Sequence, residues 1–389
     1  MNIVHIGTAD NSGGAARASY ALHRSLLDAG HDSRMLVGQK HAVDDPTTER
    51  VGYGRVATRL NLEAEYATGM QNLLAPWSGR FVKHPWVQKA DVIHLHNLHG
   101  NFISHRILPW LSEIAPIVWT LHDQWPMTGH CAYTYTCERW MDHCGKCPSL
   151  GEYPGLRWDT TKMLLEIKDE VYSASNIEFV APSAWMHAQA MASPLLSRFP
   201  IHYVPYGLDT EFWSPVDKQS ARAYLGIGLE ERVVLQVGRG ARKGMVPEGP
   251  WRLIQLQGQD DVHMRAYYSA ADVLAFPSRA DNLPLVLIEA ALCGLPAVAV
   301  HVGGVPDIVT DQETGLLVTH AEAMREGLVW LLEDPERRRQ IGRRARELAV
   351  ERFGMDRQRT RMEAVYSGVV NGEASMDEAE EGGAGCPHP

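Results

Sequence analysis

Asn2-Ile-Val-His-Ile6, the loop Thr8-Ala-Asp-Asn-Ser-Gly-Gly14 and the stretch that carries Ala18, Leu22, Leu26 and Ala29 before Gly30 decide the fold class. The first is a short apolar strand and the second is a run of turn formers. The third repeats at helical spacing and stops at a glycine. Ser33 to Val37 then reads as a second strand. Strand, helix, strand in that order predicts a parallel sheet covered by helices on both faces. Further strands are expected at Ala90–His96, Ile117–His122 and Ile177–Ala181, so the first ~200 residues form one α/β domain. A second α/β unit begins near Pro205-Tyr206-Gly207. Its signals are strands at Val233–Gly238, Asp272–Phe276 and Ala297–Val300, with a helix over Leu285–Cys293. Met324 to Tyr366 reads as helical.

The chain has 389 residues, long enough for two domains. With 45% hydrophobic and 22% charged residues it is globular, neither disordered nor fibrous. A net charge of −10 argues against nucleic acid as a partner. Five of the acids, Glu373, Asp377, Glu378, Glu380 and Glu381, sit in a terminal stretch without Lys or Arg. The most apolar run, Leu283–Val300, contains Glu289, Gly294 and two prolines, so it is a helix and a strand, not a membrane span. Without an export signal the expected location is the cytoplasm.

Three segments carry candidate chemistry. Ser12-Gly13-Gly14-Ala15 lies between a first strand and its helix, where bare N–H groups suit a diphosphate, although a tight turn needs the same glycines. It lacks the G-x-G-x-x-G spacing of a dinucleotide site. Gly238-Arg-Gly-Ala-Arg-Lys-Gly244 puts cations after a strand, which suits an anion or simply a solvated loop, and it is not a P-loop. In Pro277-Ser-Arg-Ala-Asp-Asn-Leu-Pro-Leu-Val-Leu-Ile-Glu289, a loop presents Asp281 and Asn282, and Glu289 follows on an otherwise apolar helix. A carboxylate there is costly to bury without partners, and ribose hydroxyls are suitable ones.

The Asp281-x7-Glu289 pair resembles the acidic motif of retaining glycosyltransferases of family 4. Cys293-Gly-Leu-Pro296, Gly303-Gly-Val-Pro-Asp307 and Thr314-Gly-Leu-Leu317 follow in that family's order. Ala181-Pro-Ser183 and Val204-Pro-Tyr-Gly-Leu-Asp209 resemble its interdomain landmarks. His94-Leu-His-Asn97, Trp119-Thr-Leu-His-Asp123 and Thr128-Gly-His-Cys131 resemble an exopolysaccharide or colanic-acid-type subgroup. The resemblance runs from Met1 to about Tyr366. It implies two facing Rossmann-like domains, the GT-B arrangement, with the active site between them. The acceptor-side domain would be residues 1–204 and the nucleotide-sugar domain 205–350. A helix over 351–370 would cross back to the first domain, and 371–389 would be a disordered acidic tail.

The same resemblance implies a retaining transfer from a nucleotide-diphosphate sugar to a saccharide acceptor, free or lipid-linked, with no metal needed for catalysis. Arg239 and Lys243 would neutralise the donor diphosphate. Glu289 would bind the ribose, and Asp281 with the Asn282 and Leu283 backbone would hold the donor sugar. Gly13 and Gly14 would approach the phosphate, and His122 would reach the sugar from the opposite domain. A nucleotide-sugar epimerase and a non-catalytic nucleotide-sugar-binding protein are the alternatives.

Three further expectations concern other segments. Cys131, Cys137, Cys144 and Cys147, spaced C-x5-C-x6-C-x2-C, resemble a structural zinc site, with buried thiols or disulfides as alternatives. The family that the chain resembles carries a helix, a strand, another helix and a further strand between the positions of Lys243-Gly244 and Tyr267. Only Met245–Ala266 is available here, so one to two βα units are expected to be absent from the second sheet. The segment Arg55–Trp86, with Arg59, Arg80, Lys83, Trp77, Phe81 and Trp86, has the composition of a peripheral membrane contact or of ordinary core and loop.

Overall fold

The computed structural model describes residues 1–42, 44–52, 54–238, 246–320 and 323–372, and only the backbone of Arg55. Two parallel sheets organise it. The first joins β1 (Asn2–Ala9), β2 (Asp32–Gln39), β3 (Thr48–Arg50), β4 (Val92–Leu95), β5 (Ile117–Thr120), β6 (Ile177–Ala181) and β7 (Ile201–Tyr203). Their order across the sheet is β3-β2-β1-β4-β5-β6-β7. The second joins β8 (Val233–Val237), β9 (Arg252–Leu256), β10 (Val273–Phe276), β11 (Ala297–Val300) and β12 (Gly315–Val318) in the order β12-β11-β10-β8-β9. All the pairings are parallel. Central strands are covered on both faces, which is why β4, β5, β10 and β11 read as unbroken apolar runs.

Helices α1 (Gly14–Asp28), α2 (Arg55–Thr68), α3 (Gly79–Val82), α4 (Leu108–Ser112), α5 (Thr161–Ser173) and α6 (Ala184–Ala192) accompany the first sheet. In α1, Ala18, Leu22 and Leu26 are buried as their spacing predicts, whereas Ala29 is exposed at the C-cap. Helices α7 (Lys218–Leu225), α8 (Asp261–Ala270), α9 (Leu285–Leu292), α10 (Met324–Glu333) and α11 (Pro335–Arg352) accompany the second. The last, α12 (Met355–Asn371), packs back on the first sheet, burying Met362, Val365 and Tyr366 against Ile3, Leu22 and Val92. No described helix is long and apolar enough to cross a membrane.

The gap read from the sequence has a structural counterpart. β9 pairs directly with β8, and the sheet has five strands among the described residues. A parallel neighbour ordinarily needs a crossover helix, yet the described part of this link, 246–251, is not helical. Val246 is buried, with Trp251 and Leu253 beside it, against α10 residues Met324, Leu328 and Leu331. That packing closes the face a crossover helix would cover.

Candidate active site

In an open parallel sheet a ligand crevice forms where the strand order reverses, beyond the strands' C-terminal ends. In the first sheet that point lies between β1 and β4, and a cavity of about 420 Å³ opens there. Thr8 and Ala9 from the end of β1, Gly13–Ala16 from the start of α1, and His96 and Asn97 beyond β4 line one side. Asp123 and the loop residues Tyr133, Tyr135, Glu152 and Tyr153 line the other. The Thr8 hydroxyl donates to the carbonyls of Asn97 (2.8 Å) and His99 (2.9 Å), tying the two strand ends together. Gly13 has φ +94°, which a side chain rarely adopts, and no side chain caps α1. The first-turn N–H groups of α1 therefore stay available to an anion.

The second sheet presents Asp281, Asn282 and Glu289 to the seam between the two units. Glu289 is 1% exposed. Its Oε2 accepts from the Tyr268 hydroxyl at 2.7 Å, and its Oε1 lies 2.9 Å from Nη2 of Arg17, which reaches over from α1. Arg17 also pairs with Asp261, at the start of α8, at 2.7 Å. Burial pushes the Glu289 carboxyl upward, and the Arg17 charge is the main force against it. Burial pushes Asp281 up to about 7, opposed only by the Asn282 N–H.

Asn282 is buried in the seam. Its amide donates to the Leu121 carbonyl at 2.7 Å, and its side-chain oxygen accepts from the Ser183 hydroxyl at 2.6 Å. The Asn282 backbone lies beside the Tyr133 hydroxyl, which connects the cavity wall to this loop. Gly303 and Gly304 allow the arrangement, because a Cβ on either would fall 1.8 Å from the carbonyl oxygen of Asp281 or Asn282. Leu283 sits in the core of the second unit.

His122 is placed differently from its expected role. Its Nε2 lies 2.9 Å from His96 Nδ1, and its Nδ1 lies 2.6 Å from the Tyr206 hydroxyl. Both nitrogens are engaged, and neither is left for a sugar hydroxyl in this arrangement. His96 Nε2 is in turn 3.0 Å from His5 Nδ1, giving a buried chain His5–His96–His122–Tyr206. Burial holds His122 down to about 4 and His94 to about 3, with His5 and His96 also well below the usual imidazole range, so the rings are neutral. His5 Nε2 is buried without a partner. Leaving a lone pair there costs less than stranding an N–H, so each ring donates toward Tyr206. The companion His94 is saturated by Tyr366 (2.7 Å) and Thr120 (2.7 Å). His5, His94 and His96 have ligand atoms within 4.8 Å of one another. Apart from His5 Nε2 their nitrogens are taken by hydrogen bonds, so this is a polar network rather than an open metal site.

Several expectations need correction or lie elsewhere. Arg239 and Lys243 fall outside the described residues, as does the tail from 373 onward. Cys131, Cys137, Cys144 and Cys147 are all unbridged. Among the described residues no three of their sulfurs gather within ligating reach, so the zinc reading from their spacing is not supported. They are instead tied locally, Cys144 Sγ by the Gly129 N–H and Cys147 Sγ by the Ser149 N–H. In the segment Arg55–Trp86, Trp77 and Phe81 follow the core reading: both are buried, and Trp77 Nε1 donates to the Phe102 carbonyl at 2.7 Å.

Sequence reasoning missed Arg17, His99 and the Tyr133–Tyr153 wall. Arg17 carried a usable signal, since a cation in the first turn of a helix opposes the helix dipole and implies an outside partner. His99 pairs with Asp123 (Nε2 to Oδ2, 2.7 Å). Burial raises the Asp123 carboxyl, but His99 and the Trp125 N–H outweigh it and hold the group low.

Residues 12–212 match the sequence profile of Glycosyltransferase Family 4, and residues 251–348 match Glycosyl transferases group 1. The chain is 23% identical over 364 residues to a colanic acid biosynthesis glycosyl transferase, WcaC, of Escherichia coli (strain K12), covering 84% of this chain and 89% of that protein. It is 29% identical over 298 residues to the D-inositol 3-phosphate glycosyltransferase of Mycobacteroides abscessus, covering 62% and 61%. Sucrose-phosphate synthase from Thermosynechococcus elongatus superposes with a TM-score of 0.68 at 19% identity, over 95% of this chain and 99% of that one. Anabaena HepE in complex with UDP-glucose gives 0.68 at 15% identity, over 94% and 99%. At these identities the solved structures show the shared fold, two facing Rossmann-like domains.

Proposed function

We propose that this chain, which belongs to Glycosyltransferase Family 4, moves a hexosyl unit from a nucleotide-diphosphate sugar to a saccharide acceptor with retention of configuration. The acceptor is a growing surface or exopolysaccharide, as the likeness to a colanic acid transferase suggests. The observation that carries the reading is the seam itself. A buried carboxylate, Glu289, and the Asp281–Asn282 loop of one unit face the open turn of Gly13 and Gly14 in the other, beside a 420 Å³ cavity. Glu289 accepts the ribose hydroxyls, and Arg17 gives up or shares the carboxylate when they arrive. Asp281 and the backbone at Asn282 and Leu283 hold the sugar. The N–H groups at Gly13 and Gly14 meet the phosphate, joined by Arg239 and Lys243, which follow β8 in the sequence.

In a front-face transfer the departing phosphate oxygen takes the proton of the acceptor hydroxyl as the new glycosidic bond forms on the same face. No nucleophilic side chain is required. The chain's part is to align the two substrates and stabilise the charge on the leaving diphosphate. His122, held at both nitrogens, keeps the end of β5 in place and positions Tyr206 at the start of the second unit.

HepE has been solved with UDP-glucose, so UDP and its conjugates head the test panel, with GDP and ADP as the other arms. A ligand at about 100 times its dissociation constant should raise stability by roughly 2.7 kcal/mol in a thermal melt. The expected result is a selective shift for one base, lost in Glu289→Ala, and sugar transfer by the wild type alone. A cooperative melt that no nucleotide moves would overturn the reading.

A further inference from the structure

The cavity between β1 and β4 also constrains the charge of what enters it. Its described lining holds two carboxylates, Asp123 and Glu152, and no Lys or Arg. Asp123 is already committed to His99 and the Trp125 N–H. Glu152 is half-buried, and its carboxylate makes no hydrogen bond or ion pair with a described residue. Beside it, Tyr153 is 65% exposed, with its ring edge-on to His99 and its hydroxyl 3.3 Å from His99 Nδ1. Tyr135 is 43% exposed, and Arg279 of the second unit lies over its ring at 4.8 Å. That guanidinium covers one face of the ring and does not itself line the cavity.

Two partly exposed tyrosine rings and a free carboxylate acceptor form a surface for a pyranose. The rings take its C–H faces, and the carboxylate takes its hydroxyl donors. Beside Glu152, on the side of the cavity away from the Gly13 and Gly14 N–H groups, a phosphate or uronate would instead bring a third negative charge next to two carboxylates, with no described cation in the lining. At about 5–6 Å and an effective dielectric between that of water and that of a protein surface, the repulsion amounts to several-fold to about a hundredfold in affinity.

We propose that the saccharide unit seated in this cavity is an uncharged pyranose, and that Glu152 selects against phosphorylated and uronic acceptors. Calling that unit the acceptor rests on the transferase reading; its binding does not. The curated D-inositol 3-phosphate glycosyltransferases, whose names specify a phosphorylated acceptor, would then differ from this chain at the cavity.

The test is saturation-transfer NMR and calorimetry on the full chain, with and without UDP. The probes are the methyl glycosides of glucose, galactose and mannose, their uronic counterparts and glucose 6-phosphate. At least one neutral glycoside should bind about tenfold or more tightly than its uronic counterpart. Glu152→Gln should shrink that gap to about threefold or less, by improving the anion and by weakening the neutral ligand as its charge-assisted hydrogen bond becomes a neutral one, and Glu152→Lys should invert the preference. Equal or tighter binding of the anion by the wild type would overturn the proposal, as would a gap that Glu152→Gln leaves intact. Absence of any glycoside binding would overturn it too. A nucleotide shift in the same sample would leave the transferase reading standing.

Discussion

Removing Arg17 tests the most consequential contact in the molecule. Glu289 is 1% exposed and has two partners, the Tyr268 hydroxyl at 2.7 Å and the Arg17 guanidinium at 2.9 Å. Arg17→Met keeps most of the side-chain length but strands the carboxylate with one hydroxyl. Breaking a buried ion pair by deleting one partner costs about 3–5 kcal/mol. The Arg17 side chain is 30% exposed, so water partly screens the pair, and a loss of about 2–3 kcal/mol is expected. Its second pair, with the 54% exposed Asp261, adds little. Glu289→Gln leaves Arg17 solvated and costs less, about 1 kcal/mol.

The double variant removes both charges and should therefore recover part of the loss. Urea unfolding of the four proteins yields the coupling, expected at about 1.5–2 kcal/mol. The pH dependence supplies an independent sign. In Arg17→Met the Glu289 carboxyl loses its main counterweight, so its folded pKa rises further above the unfolded value. The native state then binds more protons than the unfolded one between those two values, and stability falls as pH rises through that window. The deficit of Arg17→Met against wild type should accordingly shrink on going from pH 7 to pH 5. A coupling under about 0.5 kcal/mol, or a deficit that grows on acidification, would refute the claim that Arg17 neutralises Glu289.

Two other perturbations bear on the frame around the site. Gly304→Ala would put a Cβ 1.8 Å from the Asn282 carbonyl oxygen and 2.7 Å from Ser183 Cβ, both on packed backbone segments. It should cost about 3 kcal/mol and the nucleotide-induced thermal shift together; a variant with unchanged melting and an intact shift would contradict the tight loop contact. The buried imidazoles make an acid-side prediction. His94 (about 3) and His122 (about 4) are held below the ordinary histidine value, so the unfolded chain binds more protons below about 6.5. Stability is full above that value and is lost as pH falls toward the folded ones, at about 1.4 kcal/mol per pH unit for each ring. The raised carboxyls of Asp281 (about 7) and Asp307 (about 6) pull stability the other way over the same range. The imidazole NMR shifts of the native protein are therefore the measurement: buried rings that change protonation between pH 7.5 and 5.5 would mean they are not held neutral.

What the sequence discloses and what it hides divide along a physical line. Ile93, Val118, Leu274 and Val298 lie on strands buried on both faces, so local composition alone marks them. Gly13 is marked by its place in the chain, because a βα turn there needs positive φ. The three-residue edge strand Thr48–Arg50 has no such signature. The site is harder still, since its contacts join residues far apart in the chain. Arg17 meets Glu289 only when the two units close, and nothing within a window around either residue reports the other. His122 shows the same limit from the opposite side. A histidine at a strand end is visible, but its tautomer and availability depend on His96 and Tyr206, brought to it by register and by the interdomain turn. Gly303-Gly304 is intermediate: the pair stands out in the sequence, whereas its reason, two backbones in contact, exists only in the fold. Residue types suited to a nucleotide sugar are therefore readable along the chain. Which nitrogen, which carboxylate and which charge is free to act is decided by closure, and the Arg17–Glu289 coupling is the measurement that reports closure directly.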